Sequence, residues 1–298
     1  MIEPEFYTQN INLSNIHIIE GVIFMLHFTL NNGLQIPAIG FGTYKAAQDA
    51  MTLALQAGYR YIDGAYFYGN ESELGRALAQ SKIARNEIFI ASKVWKTDLG
   101  YEATIKSLNR TLEDLGTDYV DVYLIHWPKP NTDSKDWREL DLETWRAMED
   151  SYKQGKIRAL GLSNFLPYHA ENILNHCEIM PSVAQLEFHA GHTQTFALNY
   201  YRSQNILLQA WSPIGRGRVL DDILIRELSE KYHVSPVQIC LAFCLHENVM
   251  PLPKASSPKR LRENLDAVNI ALEREDVMRL ENMPPLGWGG EHPDRTKL

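Results

Sequence analysis

Between about residues 38 and 252 the chain alternates eight times between short apolar runs and stretches of helical period. The runs lie near 38–42, 59–63, 88–92, 120–125, 157–162, 183–187, 206–210 and 249–252. Each is rich in aliphatic or aromatic residues and ends at a polar or glycine-containing turn, which is how buried strands read. Amphipathic helices are expected between them, at roughly 48–57, 71–81, 101–115, 142–154, 168–175, 195–204 and 235–246. Gly58 and Gly116 close the first and third of these. Eight strands joined by helical crossovers predict an α/β fold, a (β/α)8 TIM barrel. A doubly wound sheet is the alternative. No G-x-G-x-x-G follows the first strand run, which counts against a dinucleotide-binding Rossmann unit.

Two segments lie outside the alternation. H-F-T-L-N-N-G-L-Q-I-P, from His27, carries Asn32-Gly33 between alternating residues and predicts a β-hairpin capping the barrel bottom. Residues 221–232 predict an extra helix. Residues 1–24 read as an N-terminal extension before a single barrel domain at 25–298, with Met25 as a natural beginning.

In a parallel barrel every strand delivers its carboxyl end to one face, so polar residues at strand exits converge. Four stand there: Asp63 and Tyr68 in Y-R-Y-I-D-G-A-Y-F-Y-G-N-E, Lys93 in I-F-I-A-S-K-V-W and His126 in V-D-V-Y-L-I-H-W-P. Singly, each has an ordinary reading as an ion pair, a half-buried aromatic or a packed histidine. Together they suit carbonyl reduction, with Tyr68 as general acid and a cofactor supplying hydride. Lys93 is expected to lower the Tyr68 pKa, Asp63 to hold Lys93 charged, and His126 to orient the carbonyl oxygen.

A second signal lies near the carboxyl end. Ser257-Pro258 reads as a helix start, with Ser as N-cap and Pro at the first helical position. Lys259, Arg260 and Arg262 crowd the first turns, where the helix dipole disfavours cations. With Lys254 at the preceding strand exit, this predicts a phosphate site.

The formal charge of -8 argues against a general nucleic-acid binder. The three cysteines make no disulfide framework and suggest a reducing, cytoplasmic setting. No apolar run reaches transmembrane length. The reading is a monomer acting on a small carbonyl compound, with no membrane or nucleic-acid partner.

These motifs, in this order, resemble the aldo-keto reductases, a family of NADPH-dependent barrel enzymes, from about Met25 to the C-terminus. The resemblance implies an NADPH-dependent reductase of aldehydes or ketones, with Tyr68, Lys93, Asp63 and His126 catalytic. G-F-G-T-Y-K places Gly42, Thr43 and Tyr44 at the first strand exit. G-L-S-N-F supplies Ser163 and Asn164, and A-Q-L-E-F-H supplies Gln185; in the family these contact the nicotinamide carboxamide. W-S-P-I-G supplies Trp211, which would stack on the nicotinamide, and Ser212 beside it. L-P-K-A-S-S-P-K-R-L-R-E-N matches the 2′-phosphate and adenine segment, with Lys254, Ser257, Arg260 and Asn264, adenine lying toward Glu263 and Asn264. Tyr44, Trp95 and Trp127, with His126, would wall the substrate pocket, and P-P-L-G-W-G-G-E-H-P would fold over its mouth. Trp211 and the short loop after Gly215 resemble a bacterial subgroup of diketo-acid and small-aldehyde reductases. Ala255 stands where the family often has Ser, one hydroxyl contact fewer.

Three other readings use the same residues. A metal-dependent hydrolase would draw on His126, His189, His192 and Asp63, but the resemblance implies no metal. A non-catalytic cofactor-binding regulatory subunit would keep the cofactor residues without turnover. A class I aldolase would use Lys93 as a Schiff base and would leave Ser163, Asn164 and the basic helix start unexplained.

Overall fold

The computed structural model describes residues 26–47 and 49–295. The extension assigned to residues 1–24 lies outside them. Eight parallel strands, β3 (Phe41–Gly42), β4 (Tyr61–Asp63), β5 (Phe89–Val94), β6 (Val122–Ile125), β7 (Leu160–Ser163), β8 (Val183–Glu187), β9 (Leu207–Trp211) and β10 (Val249–Pro251), pair in sequence order. The Gly40 and Gly42 N–H groups donate to the Pro251 and Pro253 carbonyls at 3.1 Å, joining the first strand to the last. Gly42 is needed for this approach, because a Cβ there would sit 3.0 Å from the Leu252 carbonyl oxygen. This is the expected (β/α)8 barrel.

The two-residue strand period sorts the side chains. Tyr61, Ala91, Val122, Leu124, Ala159, Val183 and Met250 form an inner cluster inside the barrel. Ile62, Ile90, Tyr123, Leu160, Leu162 and Leu208 face the helices in the outer one. Continuing the inner rows upward brings Asp63, Lys93, His126, Ser163, Gln185 and Trp211 to the carboxyl end. One row of alternation thus builds the packed floor and the polar roof.

The hairpin closes the other end. Strands β1 (His27–Thr29) and β2 (Gln35–Pro37) pair antiparallel, with His27 opposite Pro37. Gly33, at φ 84°, completes the loop and donates to the Leu30 carbonyl. Leu30 and Ile36 join the inner cluster from below. The Asn31 and Asn32 amides donate to the Pro181 and Arg158 carbonyls at 2.8 and 2.9 Å, at the entries of β8 and β7.

The helices are α1 (Ala50–Ala57), α2 (Glu71–Ser81), α3 (Tyr101–Leu115), α4 (Trp137–Lys153), α5 (Pro167–Leu174), α6 (Thr195–Ser203), α7 (Ile223–Tyr232), α8 (Pro236–His246), α9 (Pro258–Asp266) and α10 (Arg274–Glu281). The extra helix expected at 221–232 is α7. Two differences stand out. Helix α4 begins at Trp137 rather than 142, because Trp137 and Asp141 are buried on its inner face. A buried acid there breaks the apolar pattern the sequence reading relied on. Helix α10 was not anticipated; it buries only Asp276, Val277 and Leu280, too few apolar positions to announce a helix. Among the described residues no helix is long and apolar enough to cross a membrane.

Candidate active site

A cavity of about 520 Å3 opens at the carboxyl end of the barrel. Its lining includes Gly42, Tyr44, Asp63, Tyr68, Trp95, His126, Trp127, Ser163, Asn164, Gln185, Trp211, Ser212 and Lys254. Thus residues from all eight strand ends, spread over more than two hundred positions of sequence, share one space.

At its base Lys93 lies within β5 rather than beyond it, fully buried. Its Nζ donates to Asp63 Oδ1 and Oδ2 at 2.9 and 2.8 Å and to the Gly64 carbonyl at 2.8 Å. It also lies 3.3 Å from the Tyr68 hydroxyl. Tyr68 ends a short 3-10 turn, Tyr66–Tyr68, that carries the chain inward from β4 to α2. Gln185 Nε2 donates to Asp63 Oδ1 at 2.8 Å and to Gln209 Oε1 at 3.1 Å, and Gln209 Nε2 donates to the Tyr61 hydroxyl at 2.8 Å. A hydrogen-bonded chain therefore runs from the barrel core to the phenol. Both Gln185 donor positions are committed within it, so the amide offers the cavity its oxygen.

The electrostatics correct one expectation. Burial raises the Tyr68 pKa well above the usual phenol value, and Asp63, Tyr44 and Glu291 add to the rise. The expected lowering by Lys93 does not prevail, because desolvation acts on the phenolate more strongly than one ammonium already shared with a carboxylate. Lys93 is itself lowered by burial, with Asp63 opposing. His126 lies well below the usual imidazole range, through burial first and Lys93 second. At neutral pH the site thus holds a protonated phenol and a neutral imidazole.

Aromatic rings form the walls. Phe67, which the sequence reading passed over, stacks on Trp95 at 3.7 Å between centroids, and Trp95 meets His126 edge to face at 5.0 Å. Tyr44 lies 5.0 Å from Tyr68. On the other side Trp211 Nε1 donates to Asn164 Oδ1 at 2.9 Å, while Asn164 Nδ2 donates to the His126 carbonyl at 2.9 Å. Asn164 and Ser212 take left-handed backbone conformations, φ 62° and 51°, at strand exits. Such outliers in non-glycine residues cluster where a site is held in shape.

Not every expected residue reaches this cavity. Thr43 is fully buried, and its hydroxyl donates to the Asp63 carbonyl at 2.9 Å. Ser257, Arg260 and Asn264 lie on α9, beyond Lys254. Ser257 caps that helix by accepting from the Arg260 N–H, as its sequence predicts. Arg260 is exposed at the helix start, and Lys259 pairs with Glu263 at 3.7 Å. Asn264 is buried beside the Tyr59 hydroxyl, turned toward the core. His189 and His192 bridge one another through their backbones, neither is among the residues lining the cavity, and a Cβ on Gly287 would lie 2.9 Å from the His189 ring. Among the described residues no group of three or more His, Cys, Asp or Glu could hold a metal ion. Lys45, Arg216 and Glu291 also line the cavity unforeseen. Their contacts are tertiary, and only the expectation that the C-terminal segment covers the mouth pointed toward Glu291.

Residues 38–283 match the model of the aldo/keto reductase family. The chain is 40% identical over 270 residues to the glyoxal reductase of Bacillus subtilis, covering 89% of this chain and 95% of that one. It is 34% identical to the 9,11-endoperoxide prostaglandin H2 reductase of Trypanosoma cruzi, over 89% and 94% of the two chains. An aldo-keto reductase from a Medee basin deep-sea metagenome library superposes with a TM-score of 0.86 at 34% identity, over 92% of this chain and 100% of that one. A Bombyx mori aldo-keto reductase, solved in complex with NADP, superposes at 0.80 with 29% identity, over 87% and 93%. With its barrel, its strand-exit residues and this extent of similarity, the chain belongs to the aldo/keto reductase family.

Proposed function

We propose that this protein is an NADPH-dependent reductase of small aldehydes or ketones, with Tyr68 as the proton donor. The observation that carries the reading is the buried Asp63–Lys93–Tyr68 chain opening beneath an aromatic-walled cavity. A nicotinamide cofactor fits the residues present. The Trp211 face, the Gln185 oxygen and Ser163 line one wall, Lys254 lies at the β10 exit, and the capped start of α9 carries Arg260. When bound, the cofactor supplies hydride.

The remaining chemistry belongs to the chain. His126, neutral, donates a hydrogen bond to the substrate carbonyl oxygen and holds it beside Tyr68. Tyr68 passes its hydroxyl proton to that oxygen as negative charge develops on it. Lys93, 3.3 Å from the phenol oxygen, stabilises the phenolate left behind. Asp63 keeps Lys93 charged against the cost of burial. Trp95, Phe67 and Trp127 exclude water and offer apolar surface. Lys254 and Arg260 meet the 2′-phosphate that distinguishes NADPH from NADH, Arg260 through its planar fork. The kinship with glyoxal reductase favours small aldehydes as substrates.

The test is NADPH oxidation by the purified protein across small aldehydes, diketo sugars and α-dicarbonyls. Carbonyl-dependent turnover, lost in Tyr68→Phe while NADPH still binds, is expected. NADPH binding with no turnover of any carbonyl would favour a cofactor-binding regulatory role instead.

A further inference from the structure

The segment after α10 crosses the open end of the barrel and is anchored along its length. The Leu286 N–H donates to the Gly191 carbonyl at 2.9 Å, and the Gly289 N–H to the buried Glu187 carboxylate at 2.8 and 3.0 Å. Arg218 Nε donates to the Gly287 carbonyl at 3.0 Å. Beyond, Asp294 accepts from Lys129 and Tyr168 and lies 3.2 Å from His169. Between these anchors Glu291 is delivered into the cavity, where its carboxylate pairs with Arg216 at 2.6 Å.

Arg216 is held from the opposite side. It follows β9 in a left-handed conformation, φ 56°, with its guanidinium 5.7 Å from the Trp211 ring centre. The side chains of Arg216 and Glu291 are 39% and 24% exposed, so both are partly withdrawn from solvent. Glu291 lies near enough to Tyr68 for its charge to act on the phenol. The Asp63 charge is already met by Lys93. Lys45 and Lys254 also line the cavity, just beyond β3 and β10; Lys254 Nζ donates to the Lys45 carbonyl at 2.9 Å, and Lys45 Nζ lies 5.2 Å from the Tyr44 ring centre.

We infer that Glu291 and Arg216 set the charge selection of this cavity, admitting small uncharged carbonyl compounds and discriminating against those bearing a carboxylate, such as 2-oxo acids. The inference rests on the carbonyl-reductase reading and adds the substrate class. A carboxylate entering the cavity finds its natural partner, the Arg216 fork, already occupied. It must either displace a carboxylate that the tail anchors in place or sit beside it as a like charge, and like charges brought together at a binding site are strongly disfavoured. An uncharged dicarbonyl meets neither obstacle.

Glyoxal and glyoxylate form a nearly isosteric test pair, because each presents an aldehyde and only glyoxylate carries a charge. Steady-state kcat/KM for both, at saturating NADPH and varied salt, is measured for the wild type, Glu291→Gln and Arg216→Gln. The wild type favours glyoxal. Glu291→Gln narrows the glyoxal-to-glyoxylate ratio by at least about ten-fold, mainly through the glyoxylate KM and more at low salt. Arg216→Gln widens the ratio, because Glu291 then faces the substrate unpaired. Opposite movement from two substitutions in one ion pair is not what loss of structure produces. A wild type that prefers glyoxylate, ratios moving less than about two-fold, or both variants moving the ratio the same way would overturn the inference while leaving the reductase reading intact. A wild type that reduces neither compound nor any other carbonyl overturns the reductase reading, and this inference with it.

Discussion

Replacing Lys93 by Met keeps most of the unbranched side chain and removes its terminal ammonium. Lys93 Nζ lies 3.3 Å from the Tyr68 oxygen. At an effective dielectric of about 20, that separation corresponds to about 5 kcal/mol of attraction between an ammonium and a phenolate. Proton transfer is partial in the transition state, so roughly half of this is felt there, which predicts a loss of kcat of about two decades. The same substitution leaves Asp63 buried with only the Gln185 amide as partner, and breaking a buried pair costs about 3–5 kcal/mol of stability. The two effects separate in a double variant. Lys93→Met with Asp63→Asn removes the orphaned charge and should recover much of the melting temperature, yet it should remain as slow as Lys93→Met alone. The assays are single-turnover NADPH oxidation and thermal melting. A single variant within ten-fold of the wild-type rate, or a double variant that regains rate together with stability, would refute the role given to the Lys93 charge.

Four further outcomes follow from the same geometry. Tyr68→Phe removes only the donor, so turnover should fall by at least about a hundred-fold while NADPH affinity from fluorescence titration holds. Arg260→Ala should weaken NADPH binding roughly ten- to a hundred-fold, the worth of one charge-assisted hydrogen bond, and barely alter NADH; equal losses for both cofactors would mean that Arg260 does not read the 2′-phosphate. Gln209→Leu cuts the bonds to Tyr61 and Gln185, at 2.8 and 3.1 Å, freeing the Gln185 amide to turn. Cofactor affinity should drop more than kcat, and an unchanged dissociation constant would argue against that role. Burial, with Glu281 beside it, pushes the Glu247 carboxyl up from 4.5 to about 7. Because the folded value lies above the unfolded one, this group's contribution is present below about 4.5 and is lost as pH rises through about 7. Glu247→Gln should therefore raise the melting temperature more at pH above that window than below it, and a pH-independent difference would count against the shift.

Much of the site was legible because its chemistry is local in type and periodic in placement. Asp63, His126, Ser163 and Trp211 each terminate or follow an apolar run, so the strand period alone sends them to one end of a barrel. Ser257-Pro258 announces its own helix cap. What was missed depends on neighbours distant in the chain. Phe67 reads as one more aromatic until it stacks on Trp95. Helix α4 starts early because Asp141 is tolerated in a buried position that no periodicity rule would grant an acid. Asn264 is buried on α9 beside Tyr59, a neighbour some two hundred positions away in the chain.

The chain by itself determined the barrel, the hairpin that plugs its floor through Leu30 and Ile36, and which polar side chains gather at its carboxyl end. These follow from side-chain period and residue type, which any segment carries wherever it is placed. Only the tertiary structure decided the state of those groups and their surroundings. Whether Tyr68 is raised or lowered depends on how much water the assembled walls exclude, and desolvation is a property of the whole packed site. Whether Glu291 meets Arg216 depends on anchors at Glu187, Gly191, Arg218 and Lys129, drawn from three separate parts of the sequence. Charge acts through space, so its consequences are set by where folding brings the residues rather than by where they stand along the chain.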